Sequence, residues 1–211
     1  MIDNQSLTRI LGLRQYVEKQ APALQAEPSI ITLDSLREKA ASCTLCALHE
    51  TRTHSVFGVG NTSAKLMIIG EAPGFHEDQQ GEPFVGRAGQ LLNNMLRSVG
   101  LTREEVYIAN ILKCRPPNNR DPLAEEVAMC TDYLNQQIAL IRPKLLLAVG
   151  RIAAHYLLQT KASLESLRQK VHQYSDLQTP LVITYHPAYL LRSPIDKKKA
   201  YSDLQYAISL M

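Results

Sequence analysis

Four short apolar segments, each leading into a helical pattern, constrain the architecture of this chain more than any other feature. They are "KLMIIG" (65–70), "VYIANI" (106–111), "KLLLAVG" (144–150) and "PLVITYH" (180–186). Each is a near-continuous apolar run rather than an alternation, the mark of a strand covered on both faces. Helical patterns follow at 88–98, 123–141, 151–158 and 197–210. Strands alternating with helices predict an α/β fold: a three-layer αβα sandwich around a central, mainly parallel four-stranded sheet. The 211 residues suit one compact domain. We place it at 33–211, with 1–32 as an N-terminal arm and linker. In that arm Ile2, Leu7, Ile10, Leu11, Leu13 and Val17 have loosely helical spacing, and "APALQAEPS" reads as a linker.

The apolar fraction of 45% and charged fraction of 20% are those of an ordinary globular protein. A net charge of +3 permits an acidic partner such as nucleic acid without requiring one. No apolar run approaches the ~20 residues that span a bilayer, so no membrane partner is expected. The charged N-terminus does not read as a signal peptide, and a cytoplasmic location follows as the expectation. Under reducing conditions the four cysteines are then thiols or metal ligands rather than disulfides.

Cys43 and Cys46 form a C-x-x-C, with Cys114 and Cys130 far downstream. A redox pair would want a preceding βαβ pattern, which is missing. Four buried small residues are the simpler alternative. A set of four cysteines matches the complete ligand set of tetrahedral zinc or of an iron–sulfur cluster, and spacing does not separate the two.

The segments "GEAPG", "NILKCRPP" and "HPAYLLR" follow three of the four strands. Parallel sheets gather function at their carboxyl ends, so these segments are expected to share one cleft. "GEAPGFHED" lacks the Gly-Lys-Ser/Thr turn of a phosphate loop and the G-x-G-x-x-G of a dinucleotide site. Phe84, between Gly81 and Gly86, is either a core plug or a platform for a planar ring. Asn110 is a cap or a paired donor and acceptor, and His186 completes a turn or offers an imidazole. Converging at neighbouring strand ends, the three make a receptor for a flat heterocycle.

"CTLC", "GEAPGFHEDQQGEPFVGRAGQLL", "NILKCRPPNNRDP", "EVAMC" and "HPAYLLR" together resemble the family 4 uracil-DNA glycosylases, bacterial and archaeal repair enzymes carrying a [4Fe-4S] cluster. The likeness runs from about Leu33 to the C-terminus, in the family's order and spacing. It implies that Cys43, Cys46, Cys114 and Cys130 ligate the cluster. It also implies that Glu71, Ala72, Glu77, Phe84, Asn110 and His186 line a uracil pocket. Relatives outside family 4 carry an Asp at the position of Ala72 that activates or orients water. That work is left here to Glu71 or Glu77, or to electrostatic stabilisation without a formal base.

The resemblance makes Glu77, His186 and Glu71 the catalytic candidates, with His186 donating to the uracil carbonyl oxygen beside N1. Lys113, Arg115 and Arg120 surround Cys114 as a basic DNA-positioning surface. Leu190 or Leu191 would be the wedge that fills the vacated base stack, with core packing as its rival, and Arg192 a phosphate contact. The implied partner is uracil-containing DNA, single- or double-stranded, bound by a monomer. The competing classes are a metal-stabilised DNA-binding module without glycosylase activity and an iron–sulfur electron carrier.

Overall fold

A computed structural model of the chain describes residues 31–174 and 178–211. The helix and linker expected within 1–30 lie outside the described residues. Residues 32–211 form one compact unit. It begins with α1 (Leu33–Ala41), capped by a reciprocal pair in which Ser35 N donates to Thr32 Oγ1 (3.1 Å) and Thr32 N to Ser35 Oγ (3.0 Å). In chain order there follow β1 (Val59–Gly60), β2 (Leu66–Gly70), α2 (Phe75–Gln80), α3 (Arg87–Arg97), β3 (Tyr107–Asn110), α4 (Ala124–Ile141) and β4 (Leu145–Val149). The chain closes with α5 (Arg151–Leu158), α6 (Leu164–Leu167), β5 (His172–Tyr174), β6 (Thr179–Thr184), α7 (Pro187–Arg192) and α8 (Lys197–Ser209).

Among the described residues six strands form one sheet in the order β1-β3-β2-β4-β6-β5. The four strands read from the sequence are its parallel centre, β3-β2-β4-β6, with Ile68 opposite both Ile108 and Leu147 and Leu147 opposite Val182. The expectation of a four-stranded sheet is corrected at both edges. β1 and β5 add antiparallel partners, making the sheet mixed and six-stranded. They are two and three residues long. Neither contains an apolar run that marks a strand, and pairing with β3 and β6 supplies what local sequence does not.

Alternation within the apolar runs divides the core between two faces. Met67, Ile69, Leu146, Ala148 and Ile183 pack with Leu134 and Ile138 of α4 and Ala153 of α5. Leu66, Ile68, Leu145, Leu147 and Val182 pack with Leu92 and Leu96 of α3 and Leu204 and Ala207 of α8. This is the αβα layering the sequence predicts. Each fully buried Leu or Ile contributes roughly 1.5–3 kcal/mol, enough collectively to set the register of every strand.

One buried polar knot ties α8 to the end of β6. Arg168 Nε and Nη2 grip Asp203 Oδ2 and Oδ1 at 2.7 and 3.0 Å, and Nη2 also donates to the Lys199 carbonyl. Thr184 Oγ1 donates to Asp203, while Tyr185 donates to Glu165 (2.6 Å) and lies under the Arg168 guanidinium. The knot ends one residue before His186. Asp203→Ala would leave Arg168 buried without its main counter-charge, and we expect a loss of about 3–5 kcal/mol by chemical denaturation. A midpoint equal to that of the unsubstituted protein would show that the knot does not hold α8.

Candidate functional site

A cavity of about 780 Å³ opens at the carboxyl ends of the parallel strands. All four contribute: Glu71, Ala72 and Glu77 after β2, Asn110 and Asp121 from β3 and its loop, Gly150 and Arg151 after β4, and His186 and Arg192 after β6. The six pocket residues implied by the family resemblance, together with Arg120 and Arg192, share its lining.

Gly70 ends β2 where a Cβ would run into both Asn110 Oδ1 and the Phe84 ring. The missing side chain lets the amide and the ring meet at the cavity floor. Asn110 is 2% exposed, and its Oδ1 has no hydrogen-bond partner among the described residues. An orphaned buried acceptor is costly unless a ligand donor satisfies it.

Phe84 adopts a left-handed backbone with φ of 55°. That conformation costs about 1–3 kcal/mol in a residue other than Gly, so the surroundings must impose it. Two groups do. Arg103 donates to the carbonyls of Pro83 (2.5 Å) and Phe84 (3.2 Å). On the other side Glu77 Oε1 accepts from Val85 N and Gly86 N, both at 3.0 Å, at the start of α3. Glu77 therefore fixes the loop of the aromatic ring while lining the cavity. The ring itself lies 5.7 Å from that of His186, tilted by 31°.

His186 caps α7, its Nδ1 accepting from Ala188 N at 3.1 Å. That bond assigns the proton to Nε2, leaving a neutral imidazole with one donor. Desolvation, reinforced by Arg192 and opposed by Glu77, lowers its pKa to about 4. Gly150, with φ of +98°, allows the close approach, since a Cβ there would stand 2.8 Å from His186 Cβ.

The basic and apolar surface residues divide. Arg192 is exposed at the cavity and makes no ion pair among the described residues. Arg120, also in the lining, is paired with Glu126 through two bonds of 2.9 and 2.5 Å. Arg115 stands 5.1 Å over the Phe75 ring and donates to Asn119, outside the cavity lining. Two expectations are corrected by burial. Leu190 is 0% exposed and packs in the core, the rival role the sequence offered, whereas Leu191 is 37% exposed. Lys113, expected on the DNA surface, is 2% exposed.

Cys43, Cys46, Cys114 and Cys130 line a second, small cavity beneath α1 and α4. All are free thiols, and burial pushes the Cys130 thiol up to about 11. Arg52 Nη1 donates to Cys114 Sγ (3.0 Å) and Lys113 N to Cys130 Sγ (3.3 Å). Among the described residues no three or more His, Cys, Asp or Glu stand in a finished metal-binding group. The donor chemistry nevertheless fits a cluster. All four cysteines line one cavity, N–H groups donate to the sulfurs of two of them, and a cation in place of their protons would relieve the burial of thiolates.

The sequence reading missed Arg103, Asp121, Arg151 and Tyr185. Gly150 and Arg151 follow the strand "LLLAV" directly, so the strand-end rule applied to all four strands finds them. Nothing in "LTREE" marks Arg103, whose role depends on a loop 19 residues upstream.

A family model described as the uracil DNA glycosylase superfamily matches residues 57–205. The chain is 44% identical to a type-4 uracil-DNA glycosylase of Archaeoglobus fulgidus, covering 82% of this chain and 90% of that one. It is 43% identical to a type-4 uracil-DNA glycosylase of Pyrobaculum aerophilum (82% and 91% covered) and 42% identical to one of Thermotoga maritima (76% and 84%).

Glu71 is the cavity carboxyl that burial shifts toward neutrality. Burial, reinforced by Asp121 and opposed by Arg151, raises its pKa from 4.5 to about 7. A carboxyl raised on folding favours the native state when protonated, so its contribution is lost as pH rises from 4.5 to about 7. Glu71→Gln should therefore raise Tm at about pH 8 and change it little near pH 4. Calorimetry at both pH values tests this, and an equal shift at each would reject the assignment.

Proposed function

The chain belongs to the uracil DNA glycosylase superfamily, and on that premise we propose that it flips deoxyuridine out of DNA and hydrolyses its N-glycosidic bond. The products are free uracil and an abasic site. The observation that carries the reading is the unpartnered Oδ1 of Asn110, buried beside an aromatic ring and a single-donor imidazole.

Uracil supplies what this arrangement lacks. Its N3–H donates to Asn110 Oδ1 and its O4 accepts from the same amide, while Phe84 offers a π-face to the ring. Bond cleavage leaves negative charge on the base and an oxocarbenium-like sugar. The Nε2–H of His186 is the donor for the developing charge at O2. A neutral donor suits the task, because a preorganised N–H stabilises charge without a proton having to move. Glu77, held by two backbone amides through one oxygen, keeps the other for the sugar or the attacking water. Glu71, with its pKa near neutrality, shares the candidacy for water. Ala72 lines the cavity but has no group with which to take part.

Outside the pocket, Leu191 is the wedge for the vacated stack and Arg192 the phosphate contact, with Arg115 further along the same surface. The substrate is uracil-containing DNA, single- or double-stranded, and the acting species is a cytoplasmic monomer. Among the described residues no helix is long and apolar enough to cross a membrane.

The four cysteines are assigned to a [4Fe-4S] cluster. When bound, that group supplies a structural cross-link between the segment after α1, the loop after β3 and α4. The chain's own part is to present Cys43, Cys46, Cys114 and Cys130 and to donate hydrogen bonds from Arg52 and the Lys113 backbone. Cys114→Ser should lose metal and thermal stability together, because binding and folding are coupled. Unchanged metal content and Tm would remove Cys114 from the ligand set.

Release of free uracil from a uracil-containing oligonucleotide tests the function and separates it from a non-catalytic DNA-binding module. In the same assay Asn110→Asp should lose activity by ~10² or more, since the amide donor to O4 is gone and sites built on buried hydrogen bonds discriminate strongly. Near-normal release by folded Asn110→Asp protein would mean that another group reads the base.

A further inference from the structure

Lys113 lies between the two sites. Its ammonium donates to the Asn110 carbonyl and to Gln137 Oε1, both at 2.7 Å, and stands 5.9 Å from the Phe57 ring centroid. Gln137 is in turn fixed by Nε2, which donates to the Phe57 carbonyl (2.9 Å) and to the Tyr107 hydroxyl (3.3 Å). On its other side Lys113 lines the cysteine cavity, its backbone N–H donates to Cys130 Sγ, and Cys114 follows it in the chain.

The two acceptors of this ammonium are neutral, and among the described residues no carboxylate pairs with it. A charge at 2% exposure needs an opposite charge or it is strongly disfavoured. What it does adjoin is the cysteine cavity, which it lines together with Cys114 and Cys130. Sulfur ligands in that cavity, once they carry the charge of a bound cluster, are the counter-charge nearest to hand.

We propose that Lys113 is a positioning residue that couples the cysteine cavity to the base-reading end of β3. Anionic sulfur ligands hold the ammonium, the ammonium holds the Asn110 main chain, and the main chain aims the amide. The Asn110 side chain is open to such control because its Oδ1 has no partner among the described residues to hold it. The proposal rests on the glycosylase and cluster readings above, and it gives the cluster a consequence for base recognition without a redox step.

The test uses full-length, metal-loaded protein and the variant Lys113→Met, which keeps the stem and removes the charge. Two quantities are read: uracil release under single-turnover conditions, and metal loss under a chelator, which needs no activity. Removal of a group behind metal ligands typically costs 10–100-fold, so we expect about tenfold slower release and about tenfold faster metal loss. In an Asn110→Ala background the added loss of activity should fall below about twofold, because coupled residues are non-additive. Gln137→Met, which leaves the ammonium with one acceptor fewer, should show the same pattern in smaller size and serves if Lys113→Met does not fold. Losses that multiply fully with Asn110→Ala, or metal retention within about twofold of the unsubstituted protein, would overturn the coupling. Failure of the unsubstituted protein to release uracil would instead overturn the glycosylase reading, and chelator kinetics would still decide the cysteine side of the proposal.

Discussion

Covering a sheet on both faces leaves its strand ends as the place for polar chemistry. That constraint organises this molecule. Met67 and Ile69 face one layer of helices and Leu66 and Ile68 the other, so β2 has no side chain to spare until Gly70. Beyond that residue the chain must turn, and the turn carries Glu71, Ala72 and Glu77 into the cavity. β3 reaches the same line with Asn110, the only polar side chain in its four residues apart from the Tyr107 hydroxyl. The strong apolar pattern that fixes register thus also fixes which residues arrive together.

Within the cleft, rigidity is arranged by groups with two jobs. Glu77 faces the cavity and clamps the loop that displays Phe84; His186 faces it and caps α7. The strained backbone of Phe84 is maintained from outside by Arg103, a residue with no place in the cavity lining. Preorganisation of this kind places donors before the substrate arrives, which is where most electrostatic catalysis originates.

The parallel centre of the sheet was legible because its strands are long apolar runs, and the cleft because its distinctive residues trail those runs. The edges were not legible. Val59–Gly60 and His172–Tyr174 become strands only through the neighbours they pair with. Charged residues misled for a related reason. Lys113 and Arg120 occupy one basic-looking loop, yet one is swallowed beside Gln137 and the other neutralised by Glu126, six residues along the chain. Of the leucine pair in "YLLR", burial of one and exposure of its neighbour follows from helical phase, which a six-residue helix is too short to reveal in advance. Arg103 depends on tertiary proximity alone.

The cap made by His186 has a consequence for inhibition. A transition-metal ion binds imidazole through a nitrogen lone pair, and here neither nitrogen offers one to the cavity. Nδ1 spends its pair on the Ala188 amide, and Nε2 is masked by the proton that this bond places there. For zinc, nickel or copper to coordinate the ring, the tautomer would have to change and the first turn of α7 lose its cap. A histidine at the floor of an open cleft is ordinarily a point of attack for adventitious metals. This one is shielded by the same bond that orients it.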